Sequence, residues 1–183
     1  YKRLKSFIKN INKIKTSIDN EVISLIIEIL LSTSARIGNN VYEKKNKTYG
    51  ITTLRKKHVK INKNNVILSF PGKRNKQQTL IIKNPRIIMQ LKKIHKIPGN
   101  YLFPGITSKE INNLIYPFTC KDFRTYGANK ECFKFLKKCN SSCADDVDKN
   151  IKSAIQHTSN HLGNTDSICK KSYISPILLH YTR

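Results

Sequence analysis

The stretch Val22-Ile-Ser-Leu-Ile-Ile-Glu-Ile-Leu-Leu31 is the longest apolar run in the chain, broken only by Ser24 and Glu28. Ten residues with a carboxylate inside are too short and too charged to span a bilayer. The run predicts instead a helix packed into the core, beginning near an Asp19 cap and reaching about Ser34. Arg36, in Arg-Ile-Gly-Asn, then stands just past the end of a helix that the core holds in place. At 183 residues the chain is long enough for one domain, since a domain of this size buries roughly 70% of the surface its unfolded chain exposes.

Around that helix the pattern is mostly helical. Leu4, Phe7, Ile8, Ile11 and Ile14 recur at helical spacing with lysines between them, predicting an amphipathic helix over residues 2–15 with a basic outer face. Asn84-Pro85 opens another helix, with a capping side chain followed by proline at the first turn, and Thr107-Ser-Lys-Glu110 is a capping box for a short one. Thr119 and Asp122 start a helix to about Lys138, with Lys121 and Arg124 in its first turns, where a helix N-terminus attracts phosphate. Residues 139–150 read as a linker. A helix over 146–162 ends at Gly163, and Thr165 caps a last helix that carries Tyr173 and is limited by Pro176.

Between residues 50 and 83 the period changes. Ile51 to Leu54, His58 to Ile61, Val66 to Phe70 and Thr79 to Ile82 read as strands of a small antiparallel sheet, divided by Asn62-Lys63-Asn64-Asn65 and Gly72-Lys73-Arg74-Asn75. Lys73 thus falls in the last hairpin turn, where a long side chain reaches out from a stiff ribbon.

Thirty-five Lys and Arg against eleven Asp and Glu give a formal charge of +24, far more than solubility requires, so the expected partner is a polyanion, with nucleic acid first. An acidic membrane surface would call for a basic amphipathic helix with a Trp, Phe or Leu face, and the chain has no Trp. No signal-peptide pattern is present. Five cysteines, an odd number, predict reduced thiols and an intracellular, reducing compartment. Cys132, Cys139, Cys143 and His157 fit no structural zinc spacing and include no Cys-x-x-Cys pair, so no metal site is expected.

One phenol and several separated cations stand out: Tyr173, with Arg36, Lys73 and Arg124. A phosphodiester transesterification needs this set, because the attacking oxygen displaces a sugar alkoxide from pentacoordinate phosphorus. Cationic donors must meet the non-bridging oxygens and a proton must reach the leaving oxygen. The residues also fall into blocks: Ala35-Arg-Ile-Gly-Asn39 with Tyr42, Thr48-Tyr-Gly-Ile-Thr-Thr-Leu54, Phe70-Pro-Gly-Lys73, Lys121-Asp-Phe-Arg-Thr-Tyr-Gly127, Leu162-Gly-Asn-Thr165 and Lys171-Ser-Tyr173. In these blocks, their order and their separations, nearly the whole chain resembles the catalytic domain of the small poxvirus and bacterial type IB DNA topoisomerases, relatives of the tyrosine recombinases. The resemblance implies an α+β fold, mostly helical, with a three-stranded antiparallel sheet.

It also implies roles. Tyr173 would be the nucleophile that forms a 3′-phosphotyrosyl bond and frees a 5′-hydroxyl. Arg36 and Arg124 would contact the non-bridging oxygens, Lys73 would protonate the leaving 5′-oxygen, and Lys121 would assist that proton relay. Asn164 stands where poxviral members have His and would donate its amide to phosphate without adding a titrating charge. Asn39 and Tyr42 would contact DNA. Relaxation of supercoiled duplex DNA by a monomer, with no cofactor and no metal, is the implied activity. The members carry a smaller amino-terminal domain that closes over the other side of the duplex, so residues 1–183 are expected to be a fragment holding the catalytic domain.

Each assignment has a plainer competitor. Arg36 could serve only as a cation at a helix C-terminus, Lys73 as a solvated turn charge, Arg124 as an ion-pair partner of Asp122 or Glu131, and Tyr173 as a core tyrosine. The five histidines read as structural or surface residues. Among whole-protein alternatives, a tyrosine recombinase shares nucleophile and fold but usually has His where Lys121 stands. A DNA-binding module without activity would have no use for the intact set.

Overall fold

The computed structural model describes residues 2–16, 18, 20–139 and 144–180. The apolar run forms α2 (Glu21–Thr33), with Ile23, Leu25, Ile26, Ile27, Ile29 and Leu30 all buried. Each such side chain contributes about 1.5–3 kcal/mol on leaving water, and together they make α2 the axis of the first core. Asn20 caps it, its Oδ1 accepting from the amides of Val22 and Ile23 at 3.0 and 3.1 Å. The expected Asp19 cap lies outside the described residues.

The remaining elements are α1 (Lys2–Thr16), α3 (Asn40–Asn46), β1 (Val59–Ile61), β2 (Val66–Pro71), β3 (Gln77–Ile82), α4 (Pro85–Lys96), α5 (Ser108–Leu114), α6 (Cys120–Leu136), α7 (Ala144–Leu162), α8 (Asp166–Ser172) and α9 (Pro176–His180). The three strands form an antiparallel sheet in the order β1-β2-β3, with Val66 opposite Ile82, Leu68 opposite Leu80 and Phe70 opposite Gln78. Val66, Leu68, Phe70 and Ile82 face the first core. The α+β class, mostly helical with a three-stranded antiparallel sheet, is therefore the observed one.

The structure corrects the sequence reading in detail. Ile51–Thr53 is a turn of 3-10 helix rather than a strand, because Thr53 closes it on Gly50 from both sides: Gly50 N–H donates to Thr53 Oγ1 at 3.0 Å, and Thr53 N–H donates to the Gly50 carbonyl at 3.0 Å. The seven-residue α3 went unanticipated, being polar and short, with its cap in Asn39. Ala144 already lies in α7, which begins two residues earlier than expected, while residues 140–143 lie outside the described set. Tyr173 follows α8 instead of lying in it, and Pro176 starts α9.

Two hydrophobic clusters share α6. Its first half gives Cys120 and Phe123 to the first core, where Phe7 of α1 stands edge-on to Phe118 and Phe123 at 5.3 and 5.0 Å. Its second half gives Ala128, Cys132 and Leu136 to a second core with Ile151, Ala154, Ile155 and Leu162 of α7 and Cys169 of α8. At the start of α6, Asp122 accepts from the amide and hydroxyl of Thr119 at 2.7 and 3.1 Å and takes a two-pronged ion pair from Arg3 at 2.8 and 2.7 Å. Burial alone would raise the carboxyl pKa, but Arg3 and Thr119 together hold it below the usual range. With Arg3 half exposed, that pair contributes at most about 1 kcal/mol.

Gly127 is where α6 meets the end of α2. A Cβ there would lie 1.8 Å from Ser34 Oγ and 2.8 Å from Ser34 Cβ. Alanine in a helix interior gains about 1 kcal/mol over glycine, but overpacking of a close contact costs about 1–3 kcal/mol, and Ser34, buried at φ 56°, has no room to retreat. Gly127→Ala should therefore destabilise the chain in urea unfolding by up to about 2 kcal/mol net. Adding Ser34→Gly, which removes the clash and suits the positive φ, should recover most of the loss. A Gly127→Ala that gains the full ~1 kcal/mol of helix propensity would disprove the close contact.

Candidate active site

The site is built on the seam between the two cores. Ser34 ends α2 in a left-handed conformation, with its N–H on the Leu30 carbonyl. The chain beyond it is gripped by the segment around Gly50: the Arg36 carbonyl accepts from Ile51 N–H at 3.0 Å, and the Ile37 carbonyl accepts from the Thr52 amide and hydroxyl at 2.7 and 2.9 Å. Both glycines of this grip are required by space or backbone. Gly38 has φ +99°, and a Cβ on Gly50 would fall 2.4 Å from Gly38 N and 2.6 Å from the Arg36 carbonyl oxygen. This fixes the backbone from which Arg36 projects.

Asn39 then caps α3, its Oδ1 accepting from Val41 N–H at 2.8 Å. The helix is anchored by buried Glu43, which accepts from Arg55 at 2.6 Å and lies 3.4 and 3.5 Å from the Tyr101 hydroxyl. Tyr42, next to that anchor in the helix, is 59% exposed.

Arg124 sits one turn into α6 and is 5% exposed. It donates from NH1 to the Ser34 carbonyl at 2.6 Å and from NH2 to the Leu162 carbonyl at 2.8 Å, tying the end of α2 to the end of α7. Neither Asp122 nor Glu131 pairs with it: Asp122 is taken by Arg3 and Glu131 by Lys134 at 3.0 Å. Burial, and next the neighbouring Arg36 cation, push the Arg124 guanidinium down to about 10, while Tyr173 pulls it up. It remains cationic at neutral pH. Arg36 is likewise lowered by burial and raised by Tyr173, and its NH2 donates to Asn164 Oδ1 at 2.6 Å.

Tyr173 brings its ring to these cations. The Arg124 guanidinium carbon is 5.4 Å from the ring centroid and Lys121 Nζ is 5.7 Å from it. The backbone around the phenol is pinched by Asn129, whose Nδ2 donates to the Tyr173 carbonyl at 2.7 Å while its Oδ1 accepts from Ser175 N–H at 2.8 Å. The sequence reading missed Asn129. Its signal was present, because Lys121, Thr125 and Asn129 are spaced i, i+4, i+8 along one face of α6.

These groups line a cleft of about 660 Å³ that takes in Arg36, Asn39, Tyr42, Lys73, Lys121, Arg124 and Tyr173. Lys73 reaches it from the β2–β3 hairpin, its side chain exposed. Asn164 is not among the lining residues and is joined to them through Arg36. Two buried donors beside the cleft, Nε of Arg124 and Nδ2 of Asn164, have no hydrogen-bond partner among the described residues; a buried donor left unpaired costs about 1–3 kcal/mol. Cys120 also lines the cleft, but burial pushes its thiol up to about 12. It is protonated at neutral pH and a poor nucleophile. Among the described residues no group of three or more His, Cys, Asp or Glu side chains is placed to hold a metal ion. Cys143 lies outside them.

The pattern that defines the family "Eukaryotic DNA topoisomerase I, catalytic core" matches residues 1–177. The DNA topoisomerase 1B of Acanthamoeba polyphaga mimivirus is 34% identical over 206 residues, covering 95% of this chain and 61% of that protein. The DNA topoisomerase I of Monkeypox virus and the DNA topoisomerase 1B of Vaccinia virus (strain Copenhagen) are each 30% identical over 192 residues, covering 100% of this chain and 60% of theirs. The chain thus spans about three-fifths of the length of these relatives. With a matching pattern over nearly its full length and viral relatives of this similarity, the chain belongs to the type IB DNA topoisomerase family, on its poxvirus-like side.

Proposed function

We propose that residues 1–183 form the catalytic domain of an enzyme that relaxes supercoiled duplex DNA by transient cleavage of one strand. The observation that carries the reading is the convergence on one cleft of a tyrosine with Arg36, Lys73, Lys121 and Arg124, drawn from four separate parts of the chain. Tyr173 Oη attacks the scissile phosphorus and gives up its proton to solvent. The bond from phosphorus to the 5′-oxygen breaks as the tyrosyl–phosphorus bond forms. Arg36 and Arg124 hold the charge that grows on the non-bridging oxygens, and Asn164, bonded to Arg36 through its Oδ1, donates its amide N–H to phosphate. Lys73 delivers a proton to the departing 5′-oxygen, and Lys121, close to the phenol ring, supports that transfer.

The phosphotyrosyl bond keeps the energy of the broken phosphodiester, so the freed 5′-hydroxyl can attack it and restore the strand with no ATP. Asn39 and Tyr42, on the rim of the cleft, contact the DNA backbone beside the break, and the +24 charge supplies the non-specific attraction. A monomer suffices, because all of these groups come from one chain.

Incubating the chain with negatively supercoiled plasmid, without ATP and with a chelator present, should give a ladder of relaxed topoisomers. Protein denatured during the reaction should carry DNA covalently on its tyrosine. Binding without relaxation or adduct would overturn the proposal and leave a DNA-binding module. Strand exchange between two specific sites would assign the chain to recombination.

A further inference from the structure

Gln78 occupies an inward-facing place in the sheet. Along β3 the covered positions are Gln78, Leu80 and Ile82, alternating with exposed Gln77, Thr79 and Ile81, and Gln78 stands opposite buried Phe70. An amide in that row needs a reason. Its side chain runs across Gly72, where a Cβ would come within 2.6 Å of Gln78 Cγ, and reaches Gly163, where a Cβ would lie 2.8 Å from Nε2 and 3.0 Å from Oε1. The hydrogen bonds it makes, from Nε2 to the carbonyls of Gln77 at 3.3 Å and Lys76 at 3.5 Å, are long and local. Packing between two glycines is its main contribution.

Those two glycines immediately precede Lys73 and Asn164. Other bonds at the neck of the hairpin, Tyr49 N–H to the Pro71 carbonyl and Gly72 N–H to the Lys76 carbonyl, both 2.8 Å, close the turn and tie it to the segment before Gly50. The contact from Gln78 runs the other way, to the turn after α7 that presents Asn164 to Arg36. We propose that Gln78 is a positioning residue: a wedge seated against Gly72 and Gly163 that sets where Lys73 stands relative to the Arg36–Asn164 pair. The proposal rests on the reading of Lys73 as the proton donor. Misplacing a reacting group by 1 Å costs about 10²-fold, and loosening one wall of the hairpin neck is a smaller disturbance, so a loss of about tenfold is expected.

The test is single-turnover cleavage by the whole chain on two duplexes, one with the ordinary 5′-oxygen and one with sulfur at that bridging position. Sulfur leaves as a thiolate and needs no proton. Gln78→Ala should cut about tenfold more slowly on the ordinary duplex and at the wild-type rate on the sulfur duplex, with DNA affinity unchanged. Gln78→Met, of similar length and volume, should keep the wild-type rate. The double variant Gln78→Ala/Lys73→Ala should be no slower than Lys73→Ala alone, because a wedge that acts through Lys73 has nothing left to position. A wild-type rate for Gln78→Ala on the ordinary duplex, equal slowing on both duplexes, or additive losses in the double variant would each overturn the proposal. A separate outcome, Lys73→Ala left slow on the sulfur duplex, removes the proton-donor reading instead, and the double variant still decides whether Gln78 works through Lys73.

Discussion

Tyr173→Phe should abolish the covalent protein–DNA adduct and with it plasmid relaxation, a loss of at least about 10⁴-fold, since under the proposed function Tyr173, the phenol set against Arg124 and Lys121, is the nucleophile. Cys120, the thiol that lines the cleft, is held protonated by its burial. The substitution leaves the ring where it is, over Arg124 and Lys121 and against the second core, so thermal unfolding should not change and duplex affinity should stay within a few fold. Denaturing gels of reactions on end-labelled DNA give the readout. An adduct at normal yield would move the nucleophile to another residue.

Arg124→Ala should show the second-largest effect, and a double one. Cleavage should slow by about 10²-fold or more, the range for removing one preorganised donor from a developing oxyanion. Stability should fall as well, by about 2–3 kcal/mol, because the carbonyls of Ser34 and Leu162 lose their donors in a buried place. Arg36→Ala offers the contrast. Its side chain bonds to another side chain, Asn164, so cleavage should slow to a similar degree with a smaller loss of stability. Measuring both variants by single-turnover cleavage and by urea unfolding separates the roles. Wild-type cleavage by Arg124→Ala, corrected for the folded fraction, would reduce that residue to a structural clamp.

How much of this was legible in the sequence depended on whether the controlling partner was local. α2 declared itself because ten nearly continuous apolar residues have few other options, and the caps of α4, α5 and α6 were written within three residues of each helix start. The hairpin position of Lys73 followed from strand periodicity and a Gly-Lys-Arg-Asn turn. Ile51–Thr53 misled because β-branched residues favour strands, while its fate was set by carbonyls of Arg36 and Ile37 that claimed its amides. The seven-residue α3 had too few apolar positions to show a period. Tyr173, Arg36 and Arg124 were recognisable from their blocks. Their wiring was not, since Arg36 meets Asn164 across 128 positions and Arg124 meets Ser34 across 90. Gln78 was invisible for a related reason: a glutamine among strand residues reads as solvent-facing until the glycine it leans on, 85 positions later in the chain, is placed beside it.

α6 gives its first half to one hydrophobic cluster and its second half to the other, and the reactive groups lie along the seam it spans. Neither half of the molecule owns a usable site. Arg36 and Lys73 are carried by one, Asn164 and Tyr173 by the other, and Arg124 is stapled to both. A chain interrupted partway through folding, or nicked between the halves and separated, therefore holds a tyrosine without its cations or cations without a tyrosine. Under the proposed function, DNA breakage would be reserved for chains whose two halves have already met, a safeguard against stray nicks that comes from the architecture and needs no inhibitor.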